Sequence, residues 1–390
     1  MERRRVVITG VGVISAAGVG ANDFWKGLGV APPVGPREVA SWDPEPWIPK
    51  REHRRMDRFT QFALVSAMEA RAQSGGLDHV DPNRVTVGVA TGIGGLPSLE
   101  ELIAEAYSEN PRPSPMLIPM MMCNAAAATI SIRYGFGGQV NTPVVACAGG
   151  GQAIMDTVRQ IQWGYADAGL AGGAEGAVRE PTMAGFRSAR ALSPSMIARP
   201  FDAERDGFVL GEGAGILVLE EREVALARGA EILAEVLGAA ATADAHHITA
   251  PHPQGEGAER AVRLALADAG IEPADVGYVN AHGTGTDLND RTEGEVVARV
   301  WPGKQPANSS IMGTTGHALG ASGAIEAVAA VLAIDRKELP PNFGLQKADP
   351  DIPLTDIVMS HRSWTPSAVV SNSFGFGGHN VSVVIGPMSE

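Results

Sequence analysis

Two cysteines in 390 residues, Cys123 and Cys147, are too few for a disulfide framework or a cysteine-built zinc site. They fit a reducing compartment, so a cytoplasmic location is expected. Long apolar runs are also missing, and no stretch reaches the roughly 18 uninterrupted apolar residues of a membrane span. The three arginines before VVITGVGVISAAGVG imitate a short leader. The β-branched residues and glycines of that segment read instead as a buried strand and a turn. Positive charge is in deficit: the formal net charge is −13. Neither nucleic acid nor an anionic membrane attracts such a chain, so neither is expected as a partner. A local cluster of Arg51, Arg54, Arg55 and Arg58 is the one basic group suited to an acidic protein. Aromatic residues are only 5%, and no short-period repeat or low-complexity tract occurs.

What the chain has in abundance is glycine, 48 residues, within a composition that is 44% hydrophobic and 19% charged. That balance is globular, and the glycines imply many tight turns and close backbone approaches. The length suggests two domains or two halves. Apolar runs at 5–9, 84–90, 143–146, 170–173 and 216–220 read as strands, and 57–73, 120–130 and the segment from Cys147 to about Trp163 as helices. A proline-rich stretch over 31–49 reads as an irregular loop. The theme then repeats, with strands at 232–237, 276–280, 369–373 and 380–385 and helices at 258–269, 293–300 and 323–334. Alternation of this kind predicts α/β layers with mostly parallel sheets. We expect two duplicated βαβαβ halves, 1–228 carrying the cysteine and 229–390 carrying two histidines.

Cys147 follows an apolar run and precedes Ala148 and three glycines that open a helix. At such a turn the positive end of the helix lowers a thiol's pKa, and the glycines let a substrate approach the backbone. Cys123, within MMMCNAAAA, reads as a small buried cysteine. His282 ends a strand in VNAHGTGT, and His317 lies in TTGHALGASG before a helix. Ends of parallel strands commonly line an active-site crevice. No carboxylate or third histidine has metal-ligand spacing near them, so no metal is expected. Two neutral imidazoles beside a thiol can donate N–H bonds to a thioester oxygen or an enolate, although each histidine alone serves a structural role equally well. SFGFGG at 373–378 reads as a turn carrying a mobile aromatic or as a plain tight turn. A dinucleotide site at TGVGVIS is excluded: the third glycine is absent, and a proline-rich stretch stands where an acid-ended strand is required.

Together these segments resemble the β-ketoacyl-acyl carrier protein synthases, most closely the elongating type II enzymes and their polyketide relatives. The resemblance covers nearly the whole chain: RVVITGVGVIS, ACAGG around Cys147, AGGAE at 171–175, RPFDAERDGFVLGEGAGILVLE at 199–220, YVNAHGTGT at 278–286, TGHALGASGAIE at 315–326 and NSFGFGG at 372–378. It implies the thiolase fold, a five-layer αβαβα sandwich, usually as a homodimer, with a heterodimer of related subunits as the variant. It implies an acyltransferase that takes an acyl chain onto Cys147 from the phosphopantetheine arm of an acyl carrier protein, with no bound cofactor. Claisen condensation with malonyl-carrier protein then gives a β-ketoacyl product and CO2, in fatty acid or polyketide biosynthesis. The resemblance makes His282 and His317 the paired histidines of decarboxylation and the N–H groups of Cys147 and Phe376 the oxyanion hole. Phe376 is also the gate. It gives Thr284 and Thr286 contacts to pantetheine and Ile93 a limit on chain length. It sets His247 near the gate, and Met116 and Met120 to Met122 in the acyl-pocket and interface wall or in plain packing.

Two positions depart from the pattern. Met312 stands where the family carries a lysine, five residues before the TGH histidine, so Glu326, the lysine's acidic partner, has lost its cation. A buried carboxylate so stranded is expected to hold its proton or find another donor. His379 replaces the usual threonine near the malonyl thioester. Both departures tilt the expectation towards a specialised pathway. They also motivate an alternative, transfer of the acyl group to an oxygen or nitrogen nucleophile without decarboxylation. A non-catalytic chain-length subunit is the third reading, and the retained Cys147 argues against it.

Overall fold

The computed structural model describes residues 3–388. Nine main strands are β1 (Val6–Ser15), β2 (Val85–Ala90), β3 (Ala168–Glu175), β4 (Gly213–Glu221), β5 (Ala234–Ala243), β6 (Val276–Asn280), β7 (Ala307–Ser309), β8 (Ala368–Gly375) and β9 (His379–Gly386). A short edge strand, Val140–Asn141, pairs with β2. Helices that carry the argument are α1 (Arg58–Gln73), α2 (Ala125–Tyr134), α3 (Gly149–Gln162), α4 (Glu180–Ser188), α5 (Glu256–Ala269), α6 (Asp287–Val300) and α7 (Ser322–Arg336).

The strands run in the order edge strand-β2-β3-β4-β1-β5-β9-β8-β6-β7. Numbered within each half, both read 3-2-4-5-1, with two parallel pairs followed by two antiparallel pairs. The halves meet where Val6 to Ile8 of β1 pair antiparallel with Ala234 to Val236 of β5. The sheet is therefore mixed, not mostly parallel as the alternation of elements predicts: the closing strands β4 and β9 return antiparallel. Helix Arg222–Ala227 connects β4 to β5, and we place the division of the halves, 1–228 and 229–390, in this connection.

Helices α1 and α2 cover the outer face of the first half-sheet, α5 and α6 that of the second, and α3 and α7 pack between the two. Five layers result. Alternation along the strands fills them. In β1, Val6, Ile8, Val11 and Val13 enter the central core, and Ile14 the outer one. In β9, Val381, Val383 and Ile385 face inward, and Val384 faces outward. From Ser322 to Ile334 every residue of α7 is buried, because the helix has a sheet on either side. Its small side chains let α3 approach: a Cβ on Gly150 would lie 2.4 Å from the backbone nitrogen of Ala324.

Three local differences from the sequence reading have physical causes. The apolar run Pro143 to Ala146 is not a strand; it crosses to the 3-10 turn Ala146–Ala148 that opens α3. The Ala-rich helix is broken into Leu117–Met121 and α2 by the turn at Met122 to Asn124. The N-terminal strand, read as 5–9, runs on through Gly10 and Gly12 to Ser15 as β1, buried on both faces, because those glycines let α1 approach: a Cβ on Gly12 would lie 1.9 Å from the Ser66 oxygen. Leu332, 2% exposed on α7, tests the central layer. Leu332→Ala should lower unfolding free energy by about 2–5 kcal/mol in chemical denaturation, the range for a buried leucine truncation.

Candidate active site

The N-termini of α3 and α7 and the turns after β2, β6 and β8 converge on one cleft of about 370 Å³. Cys147, His282 and His317 form its floor, with their reactive atoms all within 4.8 Å of one another. The rings of His282 and His317 stand 5.4 Å apart and nearly perpendicular. Ile93, Thr284, Thr286, Phe186, Phe208 and Phe376 belong to the walls.

Backbone geometry delivers each group. Ala146 has φ of 50°, a left-handed kink that opens the 3-10 turn carrying Cys147. Gly375 of β8 rests against this turn: a Cβ there would be 3.1 Å from the nitrogens of Cys147 and Ala148. The closeness sets the N–H of the next residue, Phe376, beside the sulfur together with that of Cys147, and both favour its charged form. Phe376's ring packs edge-on to Phe186 of α4, which packs in turn on Phe208. The N–H of His317 donates to the Val209 oxygen at 2.7 Å, and its carbonyl accepts from the Gly211 N–H at 2.9 Å.

Buried carboxylates pin the turns. Glu293 of α6 accepts from the N–H groups of His282 (2.9 Å) and Gly283 (2.8 Å) and from the Asn372 amide (3.2 Å). Glu175, ending β3, accepts from Gly92 (2.6 Å), Gly320 (3.2 Å) and the Thr91 hydroxyl (3.1 Å), which ties the turn after β2 to the turn before α7. Burial pushes both carboxyl groups up to about 7 against these donors. Neither residue emerges as functional from the sequence alone; the available signal is an acid within otherwise apolar or glycine-rich surroundings, as in AGGAE.

Desolvation also governs the reactive groups. Burial pushes the Cys147 thiol up to about 12, and the N–H groups of Phe376 and Cys147 only partly oppose it. This reverses the expectation of a lowered thiol: at the closed floor of the cleft the cost of a buried negative charge exceeds the pull of the helix end. Burial lowers His317 to about 4, so the ring is neutral at pH 7. Its Nδ1 accepts the Leu319 N–H at 3.0 Å and lies 3.2 Å from the Ser322 hydroxyl, which leaves the proton on Nε2. His282 is held well below its ordinary value by burial and then by His317, while the Phe374 carbonyl favours its charged form.

Four residues singled out from the sequence stand outside the cleft wall. His247 is exposed, and its Nδ1 accepts the N–H groups of Thr249 and Ala250, both at 3.1 Å, shaping a loop whose Thr249, Ala250 and Pro251 do line the cleft. That loop is tied to the aromatic turn, because the Gly377 N–H donates to the Ile248 oxygen at 2.7 Å. His379 sits at the base of the same turn, its ring 3.1 Å from where a Gly377 Cβ would be. Met312 is buried. Glu326 lies behind the floor, its Oε1 4.0 Å from Nδ1 of His282 and its Oε2 3.5 Å from the Ser373 hydroxyl. Burial, with a contribution from Glu293, raises it well above the carboxylate range, as the loss of a cationic partner predicts.

Elsewhere, Arg58 is not free for a partner, because it pairs with Glu212 at 2.8 Å, whereas Arg51, Arg54 and Arg55 are exposed. Cys123 is half-buried rather than buried, near the Ile93 carbonyl. Met116, Met120 and Met121 are half-buried and Met122 is exposed. No helix among the described residues is long and apolar enough to cross a membrane.

Comparison with known proteins agrees over the whole chain. Residues 36–225 match the family described as beta-ketoacyl synthase, N-terminal domain, and 233–346 match beta-ketoacyl synthase, C-terminal domain. The chain is 43% identical to the 3-oxoacyl-[acyl-carrier-protein] synthase 2 of Synechocystis, covering 98% of each chain. It is 40% identical to the synthase of the same name from Staphylococcus aureus, again over 98% of each. Among solved structures, a chain of the ishigamide ketosynthase/chain length factor superposes with a TM-score of 0.93 at 34% identity, over 99% of this chain and 100% of that one. A chain of AntDE:AntF, a type II PKS acyl-carrier protein in complex with its ketosynthase bound to the hexaketide, gives 0.91 at 30% identity, over 100% of each.

A thiol held at about 12 makes alkylation a direct probe. The rate of iodoacetamide labelling of Cys147, followed by mass spectrometry of the unliganded protein, should keep rising through pH 10 without a plateau, since only thiolate reacts. A plateau near pH 7 would return the thiol to the range expected of an open helix end.

Proposed function

From this chain's membership of the β-ketoacyl synthase family and the geometry of its cleft, we propose that it is a condensing ketosynthase acting with an acyl carrier protein. The observation that carries the reading is the convergence of Cys147, His282 and His317 within 4.8 Å on the floor of one cleft. The acyl chain arrives on the carrier's phosphopantetheine thioester, a substrate arm and not a resident cofactor. The Cys147 sulfur bonds to the acyl carbon, the carbon–sulfur bond to the carrier breaks, and the cysteine proton leaves with the carrier thiol. Charge on the acyl oxygen falls to the N–H groups of Cys147 and Phe376. Thr284 and Thr286, on the wall and 2.9 Å apart, suit the amides of the pantetheine arm. Ile93 is 37% exposed on the same wall, where it would meet the acyl chain.

Malonyl-carrier protein then replaces the spent carrier. The bond to its carboxylate breaks, CO2 leaves, and the electron pair passes into a thioester enolate. The Nε2–H of His317 and the ring of His282 serve the enolate oxygen, and neutral rings suit donors that must not surrender a proton. The enolate carbon attacks the acyl group on Cys147, and the cysteine sulfur leaves. The Phe376 turn, linked through Gly377 to the loop of His247, would admit and enclose each thioester; His379, at its base, would bear on the choice of extender. Arg51, Arg54 and Arg55 offer cations to an acidic carrier. A second subunit, an identical or a related chain, has an edge to join at Val140–Asn141, where Val140, Val144, Ile132 and Ile118 are 39–81% exposed. The replaced lysine and threonine point to a specialised fatty acid or polyketide pathway.

The deciding measurement is the mass of the carrier-bound product after acylated protein meets malonyl-carrier protein. A chain two carbons longer with CO2 released is expected, and Cys147→Ala should abolish it. Acyl-Cys147 beside intact malonyl-carrier would overturn condensation and support acyl transfer to an oxygen or nitrogen acceptor. Failure of Cys147 to take up any acyl group would point to a non-catalytic subunit.

A further inference from the structure

Two buried polar atoms face each other behind the cleft floor, and neither is within hydrogen-bond geometry of a partner among the described residues: Nδ1 of His282, a ring on which the Phe374 carbonyl also bears, and Oε1 of Glu326. They are 4.0 Å apart, and both side chains are almost wholly enclosed. An orphaned buried polar atom is costly, and two facing ones imply a bond that forms in another state of the site. The gap exceeds hydrogen-bond reach by less than an ångström, a distance that a change in the Glu326 side-chain torsions closes. Hydrogen bonds at catalytic centres are often long until a substrate is bound.

The direction of that bond follows from what surrounds Glu326. Oε2 meets only the Ser373 hydroxyl, at 3.5 Å. The ionisable groups whose fields reach it are Glu293 of α6, Tyr278 of β6, Cys147 before α3 and His282. None is a fixed cation, and no lysine or arginine pairs with Glu326 among the described residues, Met312 standing where a lysine is usual. A bare carboxylate there would be a buried charge beside other acids, whereas a carboxylic acid is neutral and has one O–H to donate. The orphaned Nδ1 is the acceptor opposite.

We propose that Glu326 is a positioning residue that retains its proton and donates it in a hydrogen bond to Nδ1 of His282, fixing His282 as the Nε2–H tautomer. His317 is held as the same tautomer by Leu319, with Ser322 beside its Nδ1. Both rings then turn an N–H into the cleft, and the pair presents two donors with no net charge. An ionised Glu326 would do the reverse: it would accept a hydrogen bond from Nδ1–H of His282, and the Nε2 lone pair would face the enolate oxygen. The neutral acid therefore does at His282 what a backbone N–H does at His317.

This inference rests on the condensing reading, and its test separates the two. The full-length protein is given malonyl-carrier protein, and CO2 release is followed against pH for the wild type, E326Q and E326L. Glutamine keeps a donor on the same frame and cannot ionise; leucine keeps neither. E326L should lose at least about tenfold in rate, the scale of one lost hydrogen bond to a reacting group, and E326Q should restore it to within about threefold at pH 7. Because the donor is the protonated form, the wild-type rate should fall as pH rises through the ionisation of Glu326, and E326Q should lack that fall. The infrared difference between wild type and E326Q should contain the C=O stretch of a protonated carboxylic acid. Thermal melts confirm that the variants are folded. Absence of that stretch, or E326Q as inactive as a folded E326L, overturns the proposal. If the wild type releases no CO2 at all, the condensing reading fails, and the infrared difference alone still decides the state of Glu326.

Discussion

Desolvation at the cleft floor is the constraint on which the site depends. Cys147, His282, His317, Glu293, Glu175 and Glu326 are all buried where the N-termini of α3 and α7 press together between two sheets. Each pays for its charged form, so each moves towards neutrality: thiol up, imidazoles down, carboxyls up. A chain of neutral donors and acceptors is what remains. Such a floor holds a thioester without trapping it in ion pairs, and charge appears only when substrate brings it, next to N–H groups already in place.

The duplicated topology explains why these groups meet. Strand order 3-2-4-5-1 in both halves puts a helix at the same place in each, α3 in the first and α7 in the second, and both enter through a 3-10 turn whose first residue has positive φ, Ala146 and Leu319. One entry carries Cys147, and the segment before the other carries His317. The remaining members, His282 and Phe376, come from strand ends of the second half, which the pairing of β5 with β1 holds in register with the first. Catalytic asymmetry is thus built on a nearly symmetric frame. The acids that clamp it, Glu175 and Glu293, each reach across a turn from their own half.

Much of this was legible in the chain. Apolar β-branched runs bounded by glycine gave most strands, and the glycines after Cys147 marked the helix that packs against α7. Ordered motifs identified Cys147, His282, His317 and Phe376, and all four line the cleft. What failed was long-range or collective. Strand direction is not written in a single strand, so the antiparallel return of β4 and β9 was missed. The run at 143–146 is apolar without belonging to the sheet: it is half-buried or exposed and leads into the turn that carries Cys147. The thiol's pKa was misjudged because the helix end is visible in sequence and the burial that outweighs it is not. Phe186 on α4 and the clamp made by Glu293 give no local signal, because their meaning lies in residues 10 to 190 positions away.

Met312 carries the most information per residue, because it removes a charge from a place where charges are expensive. With a cation at that position, the carboxylate of Glu326 could remain ionised, and the floor would hold an internal ion pair. Without one, the acid has to be neutral or leave the interior, and α7 is packed on both sides, so it cannot leave. The substitution therefore does more than delete a contact. On the arrangement proposed above, it would turn Glu326 from an acceptor into a donor and pass that change to His282, whose Nδ1, unlike that of His317, accepts no backbone N–H among the described residues. On the proposed roles, a single apolar residue would reset the proton inventory of the floor while leaving Cys147 and the N–H groups beside its sulfur untouched.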